Sequence, residues 1–222
     1  MRFSGITVTG RIRSNYDMLQ GSNITNRRTM MRTLNLVVMA VVSLAIVGCS
    51  TAAKQIQIKS QGERSDIFTE VRAGEAVPKG YADIIIKSSL QTHLEGHYAV
   101  ESVKSLHGKK GHPFVINVDG QAAVWEVTGI KENPDKKDRS PESGEGLRYT
   151  LEKRIRLNPG MHTLFFGIPG ENQYVEFSLT VDEGQVCTVE AKPAYNRYRH
   201  EGPRFERGVA RIEVFLNGNK VQ

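Results

Sequence analysis

From Ala82 to Leu216 short apolar runs recur at close intervals, and turn-forming residues stop each of them. Ala82-Asp83-Ile84-Ile85-Ile86-Lys87 is the first. Pro113 to Val118 runs into Asp119-Gly120, and Ala122 to Val127 leaves it. An Asp-Gly pair between apolar runs predicts a two-residue hairpin, because both central residues of a type I′ turn need positive φ. The alternating stretch Leu147 to Leu157 ends at Asn158-Pro159-Gly160. Met161 to Phe166, Tyr174 to Val181, Gln185 to Glu190 and Arg211 to Leu216 follow, with Asp182-Glu183-Gly184 and Asn217-Gly218 as turns. After residue 49 no amphipathic helical pattern of three turns stands out. Short strands at this spacing predict an all-β fold, an antiparallel immunoglobulin-like β-sandwich with one face of each sheet in the core.

Ahead of this region, Leu34 to Val47 is apolar apart from Asn35 and Ser43, and Arg27, Arg28 and Arg32 precede it. That is the charged and apolar order of a signal peptide. The run falls short of the roughly 18 to 20 apolar residues a spanning helix needs. Its end, Ile46-Val47-Gly48-Cys49, resembles the lipobox of bacterial lipoproteins: an aliphatic residue and two small residues before a cysteine. The resemblance implies cleavage between Gly48 and Cys49, and acylation of Cys49, which makes membrane lipid a partner. Further acyl chains on the new amino terminus would make the anchor stable, since one chain holds only marginally. Ser50, where an aspartate would favour the inner membrane in enterobacteria-like systems, points to the outer membrane.

Met30-Met31-Arg32 begins a complete signal, so the residues before it read as an extended start. Asn26-Arg27-Arg28-Thr29-Met30-Met31 weakly resembles a twin-arginine signal, which leaves the export route open. The chain thus divides into an extended start with signal peptide (1–48), a lipid anchor with a polar tether (49–77) and the β-sandwich (78–222). Within the tether, Gln55-Ile56-Gln57-Ile58-Lys59 alternates and fits an added strand as well as a stalk.

The chain carries 30 Lys and Arg against 24 Asp and Glu, but six arginines and Asp17 precede Cys49. The part from Cys49 onward is nearly neutral, without the broad positive field that phosphate backbones attract, so nucleic acid is not an expected partner. Of the two cysteines, Cys49 is assigned to lipid, which leaves Cys187 without a disulfide partner and reads it as a small buried apolar side chain. No haem or zinc-type cysteine motif is present, and no cofactor is expected.

The series Ile116-Asn117-Val118-Asp119-Gly120, Leu157-Asn158-Pro159-Gly160-Met161-His162-Thr163-Leu164 and Val181-Asp182-Glu183-Gly184-Gln185-Val186 resembles the PEGA family of surface β-sandwich modules. The likeness spans roughly residues 113 to 191 and consists mostly of turn chemistry. The Pro-Glu-Gly-Ala signature is missing, and the charged loop Lys131 to Glu145 is an insertion. The resemblance implies a non-catalytic envelope module and supplies no site residues.

Two segments could carry chemistry. His93 and His97 are four apart, with His107, His112, Glu95 and Glu101 close by. On a helix that spacing would suit zinc, but Gly96 interrupts it and the His-Glu-x-x-His order is absent, so solvated loop histidines are the expectation. A metal-assisted envelope hydrolase using His93, His97 and His107 or His112 is the alternative. The other segment runs from Tyr195 to Arg207, where Tyr195, Arg197, Tyr198, Arg199, Arg204 and Phe205 interleave rings with guanidiniums. Such residues can grip anions while rings pack on a sugar or protein, so these six are the expected contact surface. Trp125, the single tryptophan, lies in an apolar strand and is expected in the core. No Gly-x-Ser-x-Gly elbow or Ser-x-x-Lys motif nominates a nucleophile in the exported part. The expectation is a lipid-anchored outer-membrane protein, not an enzyme, that binds or scaffolds an envelope protein or glycan.

Overall fold

The computed structural model describes residues 51–132, 144–196 and 204–222. The signal peptide, Gly48 and Cys49 lie outside the described residues. Among the described residues, eleven strands build two sheets packed face to face. The larger sheet has β1 (Phe68–Val71), β6 (Gly146–Leu157), β2 (Ala82–Thr92), β9 (Val186–Tyr195), β10 (Val209–Leu216) and β11 (Asn219–Lys220) in that order, with β5 (Ile130–Glu132) also on β6. The smaller sheet has β4 (Gln121–Thr128), β3 (Gly111–Val118), β7 (Gly160–Ile168) and β8 (Gln173–Val181). All eight runs expected as strands are strands, and the all-β sandwich stands. One pairing departs from the expected antiparallel pattern: β2 and β9 run parallel, Asp83 opposite Val186 through Lys87 opposite Glu190.

Alternation explains the core. Ile84, Ile86 and Leu90 of β2, Leu151, Ile155 and Leu157 of β6, and Val189 and Ala191 of β9 point inward from the larger sheet. Phe114, Ile116, Leu164, Phe166, Phe177 and Leu179 meet them from the smaller one. Trp125 is in this core, and its Nε1–H donates to Glu70 Oε1 at 2.6 Å. Cys187 is buried as well, and burial pushes its thiol up to about 11. The expected hairpin at Asp119-Gly120 has φ of 48° and 96°. Asn217-Gly218, expected only to stop β10, makes a second such hairpin into β11, with φ of 50° and 82°.

The segment expected as a polar tether is instead packed on the sandwich. Residues 51–60 form a helix, here α1, neither a strand nor a stalk. Ile56 buries against Val115 and Phe165 on the outer face of the smaller sheet. Asn117 Nδ2 donates to Lys59 O at 2.9 Å, and Lys59 pairs with Glu176 at 2.5 Å. Farther on, Phe68–Val71 joins the edge of β6. Gln121 holds its start like a piece of strand: Oε1 accepts from Ile67 N and Phe68 N, and Nε2 donates to Phe68 O.

The outer face of the larger sheet carries a buried ion cluster. Asp83 on β2 is fully enclosed and receives Arg156 at 2.8 Å and Arg154 at 2.6 Å. Burial alone would raise its carboxyl, but the two guanidiniums overcome that and hold it below the ordinary aspartate value. Removing the carboxylate leaves two nearly buried cations facing each other. Asp83→Asn is therefore expected to lower stability by about 3 kcal/mol in urea unfolding. Glu152→Gln, which breaks the exposed pair with Lys87, is expected to change it by less than about 1 kcal/mol.

Candidate functional site

β2 does not end at the sheet edge in solvent. Its last residues, Gln91 and Thr92, and the following His93 are all buried at one end of the sandwich. The chain then leaves as a long connection, residues 93–110, that folds back over this end. Thr92 Oγ1 accepts from Gly108 N at 3.1 Å, closing the connection on its own start. Gly108 has φ of 70°, and a Cβ there would fall 2.0 Å from Glu95 N, so the closure requires glycine. Tyr149 adds a second clasp, its hydroxyl donating to Lys109 O at 2.5 Å.

The closed connection brings His107 to His93. His107 Nδ1 lies 2.8 Å from His93 Nε2, with the ring centroids 4.5 Å apart. The other nitrogen of each ring has its own partner. His93 Nδ1 is 2.9 Å from Leu94 O, which can only accept, so Nδ1 carries the hydrogen. His107 Nε2 is 2.5 Å from Glu171 Oε1. Burial would raise Glu171, but His107 and the Val209 N–H, which donates to Oε2 at 2.7 Å, hold it below its ordinary value. It is therefore a carboxylate, and His107 Nε2 is the donor. With both outer nitrogens protonated, two neutral rings would point lone pairs at each other across 2.8 Å. A positive charge must bridge them.

The surroundings are arranged for such a charge. Glu101 Oε1 is 3.7 Å from His93 Nε2 and accepts from Ser105 Oγ at 2.5 Å. Burial disfavours the charged form of both rings. For His107 the Glu171 hydrogen bond and the charges of Glu171 and Glu101 win, raising its pKa, whereas His93 is lowered. His93 Nε2, His107 Nδ1 and a Glu101 oxygen lie within 4.8 Å of one another, a spacing that could hold a metal ion.

The structure separates the four histidines nominated by sequence. His93 and His107 are in contact, and His97 stacks on His93 with centroids 5.2 Å apart while reaching Glu206 at 3.7 Å. His112 stands apart from the ligand group, buried beside Phe114 and Tyr149. The expectation of solvated loop histidines does not hold for His93 and His112, which are core-buried because β2 and β3 carry them into the sandwich end. Sequence spacing missed Glu171, which sits in the short 3₁₀ turn Pro169–Glu171, 64 residues from His107.

The expected contact surface also divides. Tyr195 and Phe205 are core residues, because Tyr195 continues the inward register of Cys187, Val189 and Ala191 on β9. Tyr195 Oη accepts from Gln91 N at 2.8 Å. Arg197, Tyr198 and Arg199 lie outside the described residues. Arg204 begins the 3₁₀ turn Arg204–Arg207. That turn sits against the histidine connection: Tyr98 Oη donates to Glu206 O at 3.1 Å.

No family model, no curated protein and no solved structure matches this chain.

His112 gives the clearest pH dependence. Its Nδ1 faces Pro113 O at 3.1 Å, Nε2 is buried without a hydrogen-bond partner, and burial lowers the ring to about 4. The unfolded ring takes its proton near 6.5. Its neutral form thus contributes stability above that value, and the contribution is lost as pH falls from about 6.5 to about 4. Over that window this group alone is expected to remove about 3 kcal/mol. His112→Leu should flatten the pH dependence of unfolding free energy there by a comparable amount, read by urea unfolding at closely spaced pH values.

Proposed function

We propose that the chain is a lipid-anchored protein of the bacterial outer membrane whose sandwich, of immunoglobulin-like and PEGA-like character, works by binding or scaffolding. Cys49 carries the anchor. The position of α1 supports a close attachment: residue 51, two beyond Cys49, is already helical, and Ile56 fixes the helix to the smaller sheet, leaving little free chain between lipid and domain.

The observation that carries the binding reading is the meeting of two distant segments at one end of the sandwich. The connection 93–110 and the turn Arg204–Arg207 touch through the Tyr98 hydroxyl and the Glu206 backbone carbonyl, and His97 faces the Glu206 carboxylate. Val100 and Val103 project from this end almost fully exposed, with Tyr98 half-exposed. Beneath them the buried histidines and Glu171 keep the backbone in place, so the exposed side chains are presented from a fixed support. Apolar side chains on a supported loop beside a polar rim suit an envelope protein or a glycan as partner.

Two measurements separate the halves of this reading. Protein extracted from native membranes should have the intact mass of a chain beginning at Cys49 plus lipid, and Cys49→Ala should lose both the added mass and membrane retention. A photo-crosslinking residue at position 103 should give a discrete adduct in intact cells, and Val100→Asp should diminish it at unchanged protein level. An adduct pattern indistinguishable from that of a probe at Val186, exposed at the far end of β9, would remove this end as the contact surface.

A further inference from the structure

We propose that His93 Nε2, His107 Nδ1 and a carboxylate oxygen of Glu101 form a three-ligand site for a divalent transition metal of the zinc class, with Glu171 as the outer carboxylate that orients His107. The three donors are assigned from their geometry alone, without reference to the anchor or to the partner proposed above.

The orientation of the donors carries the inference. The Leu94 carbonyl takes the hydrogen of His93 Nδ1, and the Glu171 carboxylate takes that of His107 Nε2. Each ring is thereby left with its lone pair aimed at the same point. A metal-bound histidine characteristically gives its other N–H to a carboxylate or a backbone carbonyl, and here one ring has each. The support extends one shell farther: Glu171 is fixed by Val209 N, and Glu101 by the Ser105 hydroxyl, whose oxygen also accepts from His107 N at 3.2 Å.

The dimensions are close to those required. Metal–nitrogen bonds of about 2.0 to 2.1 Å at a tetrahedral angle put two ligating nitrogens about 3.3 Å apart. The present separation is 2.8 Å, and Glu101 is 3.7 Å from His93 Nε2. Binding thus needs the rings to part by about half an ångström and Glu101 to move inward. His93 is anchored at the end of β2, so the movement falls to the 101–107 stretch of the connection. Two imidazoles and one carboxylate favour zinc and its neighbours over calcium or magnesium, which prefer all-oxygen shells. A fourth position opens toward the groove lined by Tyr98, Ser102 and Lys109, where water or a donor from a partner completes the shell.

The test uses the full chain purified in detergent, stripped with a chelator and titrated with Zn²⁺ against a chromogenic competitor at neutral pH. The expected result is one equivalent bound per chain. His107→Gln and Glu101→Gln should each weaken binding by about 100-fold, and Glu171→Gln by about 10- to 100-fold. His97→Gln should leave it nearly unchanged. Because His93 and Glu171 are buried, circular dichroism checks each variant, and the partly exposed Glu101→Gln keeps the test decisive if a buried substitution unfolds the chain. Absence of stoichiometric uptake, or uptake unaltered in Glu101→Gln and His107→Gln, would overturn the site and leave a shared proton as the bridging charge.

Discussion

β2 is the strand from which the rest of the molecule takes its position. It pairs with β6 along all of Ala82–Thr92 and with β9 on its other edge, so neither edge is free over its first half. Ile84, Ile86 and Leu90 are wholly withdrawn from water, each worth about 1.5 to 3 kcal/mol relative to exposure. Polar residues on the same strand are buried too, and each is answered. Asp83 has its two arginines, Ser88 Oγ donates to Ala191 O at 2.7 Å, and Gln91 Nε2 donates to Gly144 O at 3.2 Å. A strand so enclosed cannot slip by one residue, because the shift would trade its isoleucines for Asp83 and Gln91 in the core. Register at the start of β2 therefore determines where His93 emerges.

That emergence creates an electrostatic problem which the surrounding loops resolve. A buried imidazole alone would simply stay neutral. His93 instead meets a second ring whose far side is held by a buried carboxylate, so the pair retains one positive charge between two acidic groups. Glu171 belongs to the turn after β7, and its second oxygen binds the first residue of β10. One carboxylate thus connects the histidine connection, the smaller sheet and the larger sheet. The end of the sandwich is held by polar contacts at distances of hydrogen bonds, while the middle is held by apolar packing. Rearrangement of the 101–107 stretch would move exposed Val103 within it and reach Val100 just before it, which couples any cation in the site to the shape of the surface above.

Much of the sandwich was legible because alternation and turn chemistry are local. Asp119-Gly120 announced its hairpin, and Leu147 to Leu157 showed its inward face. The docked helix was harder to find, since residues 51–60 offer little apolar surface beyond Ile56 and Ile58. Its signal lay in its partners: Val115 beside Ile116, and Phe165 between Leu164 and Phe166, are apolar on both faces of their strands. A strand apolar on both sides requires cover on both. Tyr195 was similarly readable, two residues beyond Pro193 on the buried face of β9, but the arginines that follow it suggested a surface. The pairing of His107 with Glu171 had no such sign, because it depends on how a long connection and a distant turn meet in space. Hydrogen bonding between side chains remote in sequence leaves no period to detect.

The protonation of the two facing rings is the most direct test of this account. Long-range proton–nitrogen correlation spectra of ¹⁵N-histidine-labelled protein, recorded without added metal at neutral pH, assign the hydrogen on each ring nitrogen. The account requires His93 to carry its hydrogen on Nδ1 with Nε2 as an acceptor, and His107 to be protonated on Nε2, with a further proton on Nδ1 when no metal is present. A His93 ring protonated on Nε2, or a His107 ring exchanging freely between tautomers, would contradict it.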